Sequence, residues 1–186
     1  MTTYEPPALE IFLTLTLGTL AGSFYRQYVD RLPLRGNETV LDFGSGSGVC
    51  SKHLARRLLP NGRLLCVDSS RGWNTVIRRT MHRYANVAYH LGDIGDVSIP
   101  PGSCDAIYTH FVLHDIPAAD RERVVRALAG KLKPGGQWFV REPLEPGMRA
   151  EDLRLLLTDA GFREGDAAEY KHWYTGPLYE GVFAGG

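Results

Sequence analysis

The chain has 186 residues, of which 44% are hydrophobic, so it is long enough to bury one sizeable core and suits a single domain. Basic and acidic side chains number 21 each, and the resulting net charge of zero excludes a general electrostatic attraction for nucleic acid or anionic membranes. The three cysteines have no C-x-x-C spacing, which predicts free thiols in the cytoplasm rather than a disulfide framework or a zinc site.

The first predicted element is a helical segment from about Pro7 to Leu32, amphipathic or largely buried, with a break near Gly18 or Gly22. Its apolar stretch, Leu9–Phe24, is too short to span a membrane as one helix. Acidic residues accompany this stretch, whereas a secretory signal begins with basic residues. We therefore expect a chain without a membrane segment or a secretory leader.

A strand, a glycine-rich turn and a helix follow. The apolar run Thr39–Phe43 predicts the strand, and the leucines of Val49–Leu59 recur at helical spacing. Between them stand Gly44, Gly46 and Gly48. Glycine reaches backbone conformations that a Cβ atom forbids, and it lets a ligand approach the main chain closely. The turn also leaves the first N–H groups of the helix facing whatever binds there.

The rest of the chain alternates strands and helices. Strands are predicted near Arg63–Val67, Val87–His90, Ala106–Thr109 and Gln137–Arg141, and helices near Gly72–Tyr84, Ala118–Lys131 and Ala150–Ala160. Such alternation predicts a parallel sheet covered by helices on both faces. Two final strands, Ala168–Tyr174 and Leu178–Ala184, are joined by a short turn and should be antiparallel. The predicted fold is α/β, a Rossmann-like doubly wound sheet of seven strands with a C-terminal antiparallel hairpin.

The spacing of the glycine turn discriminates between nucleotide-type ligands. A dinucleotide fingerprint requires a third glycine where this chain has Val49, and Asp42 stands two positions before Gly44. Asp68 ends the second predicted strand, where a carboxylate can accept both ribose hydroxyls. The pattern D-x-G-x-G-x-G, followed by this acidic residue, resembles motif I of the class I S-adenosylmethionine-dependent methyltransferases. A generic α/β turn with a solvated Asp68 is the alternative.

Further matches extend this resemblance over about residues 36–186. Asp93 and Ile94 follow the third strand, Ser103–His110 resembles motif IV, Lys131–Gly136 reads "LKPGG", and the late helix ends in "AGF". The resemblance implies that S-adenosyl-L-methionine is the cofactor and that 1–186 is one methyltransferase domain. The cofactor-binding residues that it implies are Asp42, Gly44, Ser45, Gly46, Gly48, Asp68, Ser69, Asp93, Ile94 and His110.

A histidine follows the fourth predicted strand in the segment Phe111–Pro117. This segment resembles the one that carries the catalytic histidine of small-molecule O-methyltransferases, which implies His114 as a general base because imidazole titrates near neutral pH. In those relatives a glutamate after the fifth strand orients the histidine, and Glu142 matches it. A contact of His114 with substrate or cofactor, or plain packing, remains an alternative.

The resemblance implies that the N-terminal segment, residues 1–36, covers the cofactor cleft and brings Tyr25 and Tyr28 towards the substrate. His172, in a C-terminal aromatic run, is a further candidate for substrate binding. Packing explains the same aromatic residues without a ligand. The expected reaction is methyl transfer to a small molecule by a monomer or homodimer, without a metal. A protein or RNA methyltransferase and a non-catalytic cofactor-binding partner subunit are the alternatives.

Overall fold

Helices and strands alternate along the chain in a computed structural model, which describes residues 4–144, 148–173 and 175–186. In chain order the elements are α1 (Ala8–Leu20), α2 (Gly22–Arg31), β1 (Thr39–Phe43), α3 (Ser51–Arg57), β2 (Arg63–Asp68), α4 (Arg71–Thr80), β3 (Val87–Leu91), β4 (Cys104–His110), α5 (Ala118–Ala129), β5 (Leu132–Pro143), α6 (Ala150–Thr158), β6 (Phe162–His172) and β7 (Gly176–Gly185). The strand order of the sheet is β3-β2-β1-β4-β5-β7-β6, with antiparallel strands at the C-terminal edge. The predicted fold class is therefore confirmed.

The chain forms two compact units, one ending at Ser98 and the other comprising Ile99–Gly186. In the first unit, β1 and β3 pair in parallel with the central strand β2. Val40, Leu64 and Val67 are completely buried there. Parallel strands with helices on both faces bury both of their sides, which explains why β1 and β2 are nearly continuous apolar runs.

The N-terminal segment of the first unit is helical, as predicted, and its break falls at Ala21, between α1 and α2, where the two helices bend by 66°. Gly18 is the buried residue of α1. Most of the large apolar side chains of α1 point outwards and are exposed, namely Leu9, Phe12, Leu13, Leu17 and Leu20. Within the described ranges, no single helix is long and apolar enough to cross a membrane, whereas α1 and α2 pass that test only as a bent pair.

In the second unit, β4 pairs in parallel with β5, and β7 lies antiparallel between β5 and β6. β5 begins at Leu132, five residues before the predicted strand Gln137–Arg141, and therefore includes the "LKPGG" segment. The register with β4 shifts in this segment, and Gly135 has φ +71°. β6 begins at Phe162, six residues before the predicted start. The prediction missed these residues because the first half of the strand is exposed and lacks an apolar pattern. The predicted end of this strand, Tyr174, lies outside the described residues.

Candidate active-site elements

The glycine turn after β1 is tied by its backbone to the end of β2. The N–H groups of Gly44 and Ser45 both donate to the carbonyl oxygen of Val67, at 2.9 and 3.2 Å. Gly48 N donates back to Ser45 O at 3.0 Å, and the three glycines have φ values of +70°, +51° and +80°. Only glycine adopts this left-handed sequence at low cost, so the turn is a rigid loop built from main chain.

The side chain of Asp68, at the end of β2, connects this turn to the start of α4 by hydrogen bonds. Its Oδ2 accepts from Gly46 N at 2.8 Å, and its Oδ1 accepts from Ser70 N at 2.9 Å. Burial raises the pKa of Asp68, although both backbone hydrogen bonds oppose that shift. Each carboxylate oxygen has a second lone pair, so Asp68 can still accept hydrogen bonds from a ligand hydroxyl.

Asp42, near the end of β1, is buried beneath the turn, with 3% of its surface exposed. Its Oδ2 accepts a hydrogen bond of 2.5 Å from the hydroxyl of Ser51, the first residue of α3. Burial raises the pKa of Asp42 to about 7, and the negative charge of Asp68 adds to this effect against the Ser51 hydrogen bond. The side chain therefore fixes the start of α3 to the end of β1.

Replacing Asp42 by asparagine should stabilise the free protein at about pH 8. The folded pKa of about 7 exceeds the ordinary value of 3.8, so the folded state keeps a proton that the unfolded chain releases between these values. The free energy of unfolding therefore falls as the pH rises from about 4 to about 7, by on the order of 2 to 4 kcal/mol. Asparagine has no such ionisation and still accepts from Ser51. Thermal unfolding should show a higher melting temperature for the asparagine variant at about pH 8 and a smaller increase at about pH 5. An equal increase at both pH values would contradict this account.

Two glycines of the turn have different surroundings. A Cβ atom on Gly48 would lie 2.8 Å from Ile77 Cγ1 and 3.0 Å from Met81 Cγ, because the turn packs against α4. A Cβ atom on Gly46 would meet only the carbonyl oxygen of Gly44, at 3.9 Å. Open space therefore lies over Gly46, where a ligand can approach the main chain.

Alanine substitutions should separate these two roles. Gly48→Ala should lower the free energy of unfolding by about 3 kcal/mol, from left-handed strain and overpacking together. Gly46→Ala should cost only about 1 kcal/mol of strain, yet its methyl group enters the open space and should weaken ligand binding. Urea unfolding and calorimetric titration measure the two effects. Equal destabilisation by both variants would show that Gly46 has the same packing role as Gly48.

The predicted adenine-side residues lie just after β3. Asp93 Oδ1 accepts from Gly95 N at 2.9 Å and so stabilises the loop in which it stands. Ile94 is 1% exposed, so its side chain packs in the core of the first unit. Ser69, which follows Asp68, is exposed. The roles of these residues in cofactor binding stay predictions.

In the second unit the structure brings His114 and Glu142 together. The Oε2 atom of Glu142, a completely buried side chain of β5, lies 2.8 Å from His114 Nδ1. Its Oε1 accepts from Val112 N and Leu113 N, at 3.0 and 2.9 Å. One carboxylate thus holds the loop after β4 and also orients the imidazole. A carboxylate at Nδ1 places the proton there and leaves Nε2 as the basic nitrogen.

The Nε2 atom of His114 lies 3.3 Å from Asp115 Oδ1, and the Asp115 side chain is 76% exposed. Arg121 supports the same loop, because it donates to the carbonyl oxygens of His114 and Ile116 at 3.1 and 2.8 Å. At the start of the loop Phe111 has φ +59°, a conformation that non-glycine residues rarely adopt. The loop is therefore held by several independent contacts rather than by its own conformational preference.

The remaining candidates have mixed surroundings. His110 ends β4 in the second unit, stacked on Phe111 with ring centroids 4.2 Å apart, and burial together with Arg141 lowers its pKa well below the ordinary value. Tyr28 is 4% exposed, which favours the packing alternative, and Tyr25 is half-buried against Phe24. His172 is half-buried at the end of β6. Among the described residues, no group of three or more potential ligands could hold a metal ion.

Sequence reasoning missed three residues around the turn. Ser51 binds Asp42, Ser70 accepts from Trp73 N as the cap of α4, and Glu5 binds the start of α4. Ser70 had a local signal, because serine is a preferred N-cap. Glu5 had none, since its partners are at least 65 residues away along the chain.

Comparisons with known proteins include the glycine turn in the matched part of the chain. The profile of the family described as "Methyltransferase domain" matches residues 40–136, about half of the chain. An uncharacterized methyltransferase of Mycobacterium tuberculosis is 30% identical over 131 residues, which cover 69% of this chain and 62% of that protein. The ubiquinone/menaquinone biosynthesis C-methyltransferase UbiE of Hahella chejuensis is 26% identical over 121 residues, covering 63% and 48% of the two chains.

The crystal structure of a SAM-dependent methyltransferase from Aquifex aeolicus has the same fold, with a TM-score of 0.72 at 18% identity. The match covers 86% of this chain and 88% of that one. By contrast, this chain spans 35% of the length of two further curated relatives, which are both uncharacterized. These likenesses concern the fold and the cofactor-binding domain.

Proposed function

The chain belongs to the class I S-adenosylmethionine-dependent methyltransferases, and from this premise we propose that it transfers a methyl group from S-adenosylmethionine to a small-molecule acceptor. S-adenosylmethionine is the methyl donor of this family. The observation that carries the proposal is the hydrogen bond between the Asp68 carboxylate and the glycine turn, in which Oδ2 lies 2.8 Å from Gly46 N.

The residues of the first unit fit this cofactor. The main chain around Gly46 borders open space, as an aminoacyl nucleoside requires for close approach. Asp68 has acceptor capacity for the ribose hydroxyls, and Asp42 fixes α3 behind the turn through its hydrogen bond with Ser51. When bound, the cofactor supplies a methyl group on a cationic sulfur.

The proposed proton acceptor belongs to the second unit. Methyl transfer is an in-line displacement, so the acceptor atom must be positioned, and a hydroxyl acceptor must also lose its proton. Glu142 holds the Nδ1 side of His114 at 2.8 Å, so Nε2 is the atom that would take this proton. The Glu142 carboxylate beside Nδ1 then stabilises the imidazolium that forms, as the carboxylate does in other histidine–carboxylate pairs.

Two observations favour a small acceptor. The net charge of zero gives the chain no general attraction for RNA. The curated relative UbiE is named for a C-methyltransferase of ubiquinone and menaquinone biosynthesis, which is a small-molecule role. Both support, for this chain, an acceptor of low molecular mass.

Transfer of radiolabelled methyl groups tests the proposal. Purified protein is incubated with labelled S-adenosylmethionine and separated metabolite, protein and RNA fractions from a cell extract. We expect the label in the metabolite fraction, and Asp68→Ala should abolish it. Label that enters only protein or RNA would overturn the acceptor class, and absence of both binding and transfer would overturn the proposed activity.

A further inference from the structure

Glu5 anchors the N-terminal segment to the start of α4. Its carboxylate accepts hydrogen bonds from Ser70 Oγ, Arg71 N and Gly72 N, at 2.9, 2.8 and 2.9 Å. The first N–H groups of a helix have no partner within it, and the positive end of the helix dipole favours a carboxylate there. These backbone hydrogen bonds lower the pKa of Glu5. The anchor is therefore ionised at neutral pH.

The anchor is part of the hydrogen-bond network of the cofactor-binding turn. Ser70 donates its hydroxyl to Glu5 and its backbone N–H to Asp68. The other carboxylate oxygen of Asp68 accepts from Gly46 N. A continuous path thus joins Glu5, Ser70, Asp68 and Gly46, and it reaches the residues that the proposed function assigns to the cofactor.

The far end of α1 contacts the other side of the same turn. Gly18 is buried against Val49, and a Cβ atom on Gly18 would lie 2.6 Å from Val49 Cγ2. Val49 directly follows Gly48, the last glycine of the turn. From Ala8 to Gly18 the helix covers about 15 Å. The N-terminal segment therefore has one attachment at the start of α4 and another at Val49, directly after the glycine turn.

Between these two attachments α1 is weakly held. Ile11 and Leu15 are half-buried, and the opposite side of the helix is exposed. Segments with few buried apolar contacts open at low free-energy cost. The polar anchor at Glu5 thus has a large share in keeping α1 in place.

We propose that Glu5 is a positioning residue for the cofactor: it latches α1 across the glycine turn, and the latch must open at Ser70 when the cofactor exchanges. The inference rests on the proposed function, because it concerns the same turn. Glu5 itself does not contact the reacting atoms. It acts through Ser70 on Asp68 and through α1 on the access to the turn.

Dissociation of radiolabelled S-adenosylmethionine from the full chain, followed by rapid filtration, tests the latch. Glu5→Ala should release the cofactor about fivefold faster, which is the effect expected for loss of one exposed helix cap. Glu5→Gln keeps one acceptor oxygen and should lie between the two. Gly18→Leu, which pushes the other end of α1 off Val49, should also accelerate release. Hydrogen exchange of α1 in the free protein should rise in Glu5→Ala and in Gly18→Leu.

Two matched controls separate the latch from general effects on the helices. Glu10→Ala removes a carboxylate from α1 that accepts from Tyr4 rather than from α4. Gly22→Ala adds a methyl group at the start of α2, where no atom lies within 4 Å. Both controls should release the cofactor at the rate of the unmodified protein, and all variants should keep its melting temperature within a few degrees.

The possible results decide between the two proposals. Faster release with faster exchange of α1, in both Glu5→Ala and Gly18→Leu, supports the latch. Unchanged release in Glu5→Ala overturns it, even if exchange rises, because Glu5 is then only a cap of α4. If the unmodified protein binds no S-adenosylmethionine, the proposed function fails and the latch fails with it, whereas tight binding with equal release in every variant removes the latch alone.

Discussion

Asp68→Ala should abolish detectable binding of S-adenosylmethionine and leave the protein folded. The substitution removes the carboxylate that we propose as the acceptor for two ribose hydroxyls, and hydrogen bonds to charged groups contribute about 1.5 to 3 kcal/mol each. Loss of about 3 kcal/mol alone corresponds to an affinity more than about 100-fold weaker. The substitution also deprives Gly46 N and Ser70 N of their acceptor, so the turn loses its side-chain hydrogen bond to the end of β2. Calorimetric titration with the cofactor and with its demethylated product measures the effect.

Folding should survive this change because the carboxylate is expensive to bury. Burial raises the pKa of Asp68, so ionisation of this carboxyl costs more free energy in the folded state than in the unfolded chain. Removing it relieves that cost while two backbone hydrogen bonds are lost, and the two effects oppose each other. Circular dichroism and the melting temperature should therefore change little. A variant that binds normally would show that the ribose lies elsewhere.

Asp68→Asn and Asp96→Ala are informative companions. Asparagine has the size of aspartate but only one side-chain oxygen. Its NH₂ group, a donor, must therefore point at either Gly46 N or Ser70 N, which is itself a donor. We expect a loss of affinity between those of the unmodified protein and of Asp68→Ala. Asp96 is an exposed aspartate of the same unit, and its removal should leave binding unchanged. A loss of affinity in Asp96→Ala would point to a general effect of surface charge.

The first unit was predictable because its signals are local. The run Thr39–Phe43 and the glycines after it specify a strand and a tight turn within ten residues, and the strand has the predicted bounds. The end of the next strand places Asp68 beside the turn, because parallel neighbours end on the same edge of a sheet. Short-range pattern and sheet geometry were sufficient there.

Long-range and edge features were not predictable in this way. The first half of β6 carries exposed polar residues, so no alternation distinguishes it from a loop. The "LKPGG" residues have the composition of a turn, yet they continue a strand across a shift of register. The hydrogen bonds of Glu5 join positions 65 to 67 residues apart, and no pattern within one segment indicates such a contact.

The role of Glu142 shows the same limit at the level of chemistry. Resemblance indicated that it orients His114, and the structure places the two side chains in contact at 2.8 Å. It did not indicate that the same carboxylate accepts the backbone N–H groups of Val112 and Leu113. Those contacts directly follow Phe111, which has a left-handed conformation at the end of β4. That one carboxylate binds both the imidazole and the backbone of the loop can be learned only from the structure.

Glu142→Gln should therefore lower kcat about 100- to 10,000-fold without weakening the binding of S-adenosylmethionine. Its one amide oxygen can still accept from Val112 N and Leu113 N, and the opposite orientation would leave both buried donors facing an NH₂ group. The NH₂ group then faces Nδ1 of His114, which must become an acceptor. The imidazole proton moves to Nε2, and the nitrogen that should take the substrate proton is already protonated.

Nitrogen-15 chemical shifts of the His114 imidazole report this exchange of tautomers, and they can be measured in the absence of a methyl acceptor. The value of kcat is measured with the methyl acceptor that label transfer identifies. His114→Ala should lose a similar factor, whereas His82→Ala, which removes an exposed histidine after α4, should retain full turnover. The direction of the tautomer change separates a base from a contact residue. If His114 merely touched the substrate, the exchange in Glu142→Gln would occur with kcat nearly unchanged, since a neutral imidazole packs equally well in either tautomer. A large loss of kcat together with an unchanged cofactor affinity requires that the unprotonated Nε2 atom takes part in the reaction.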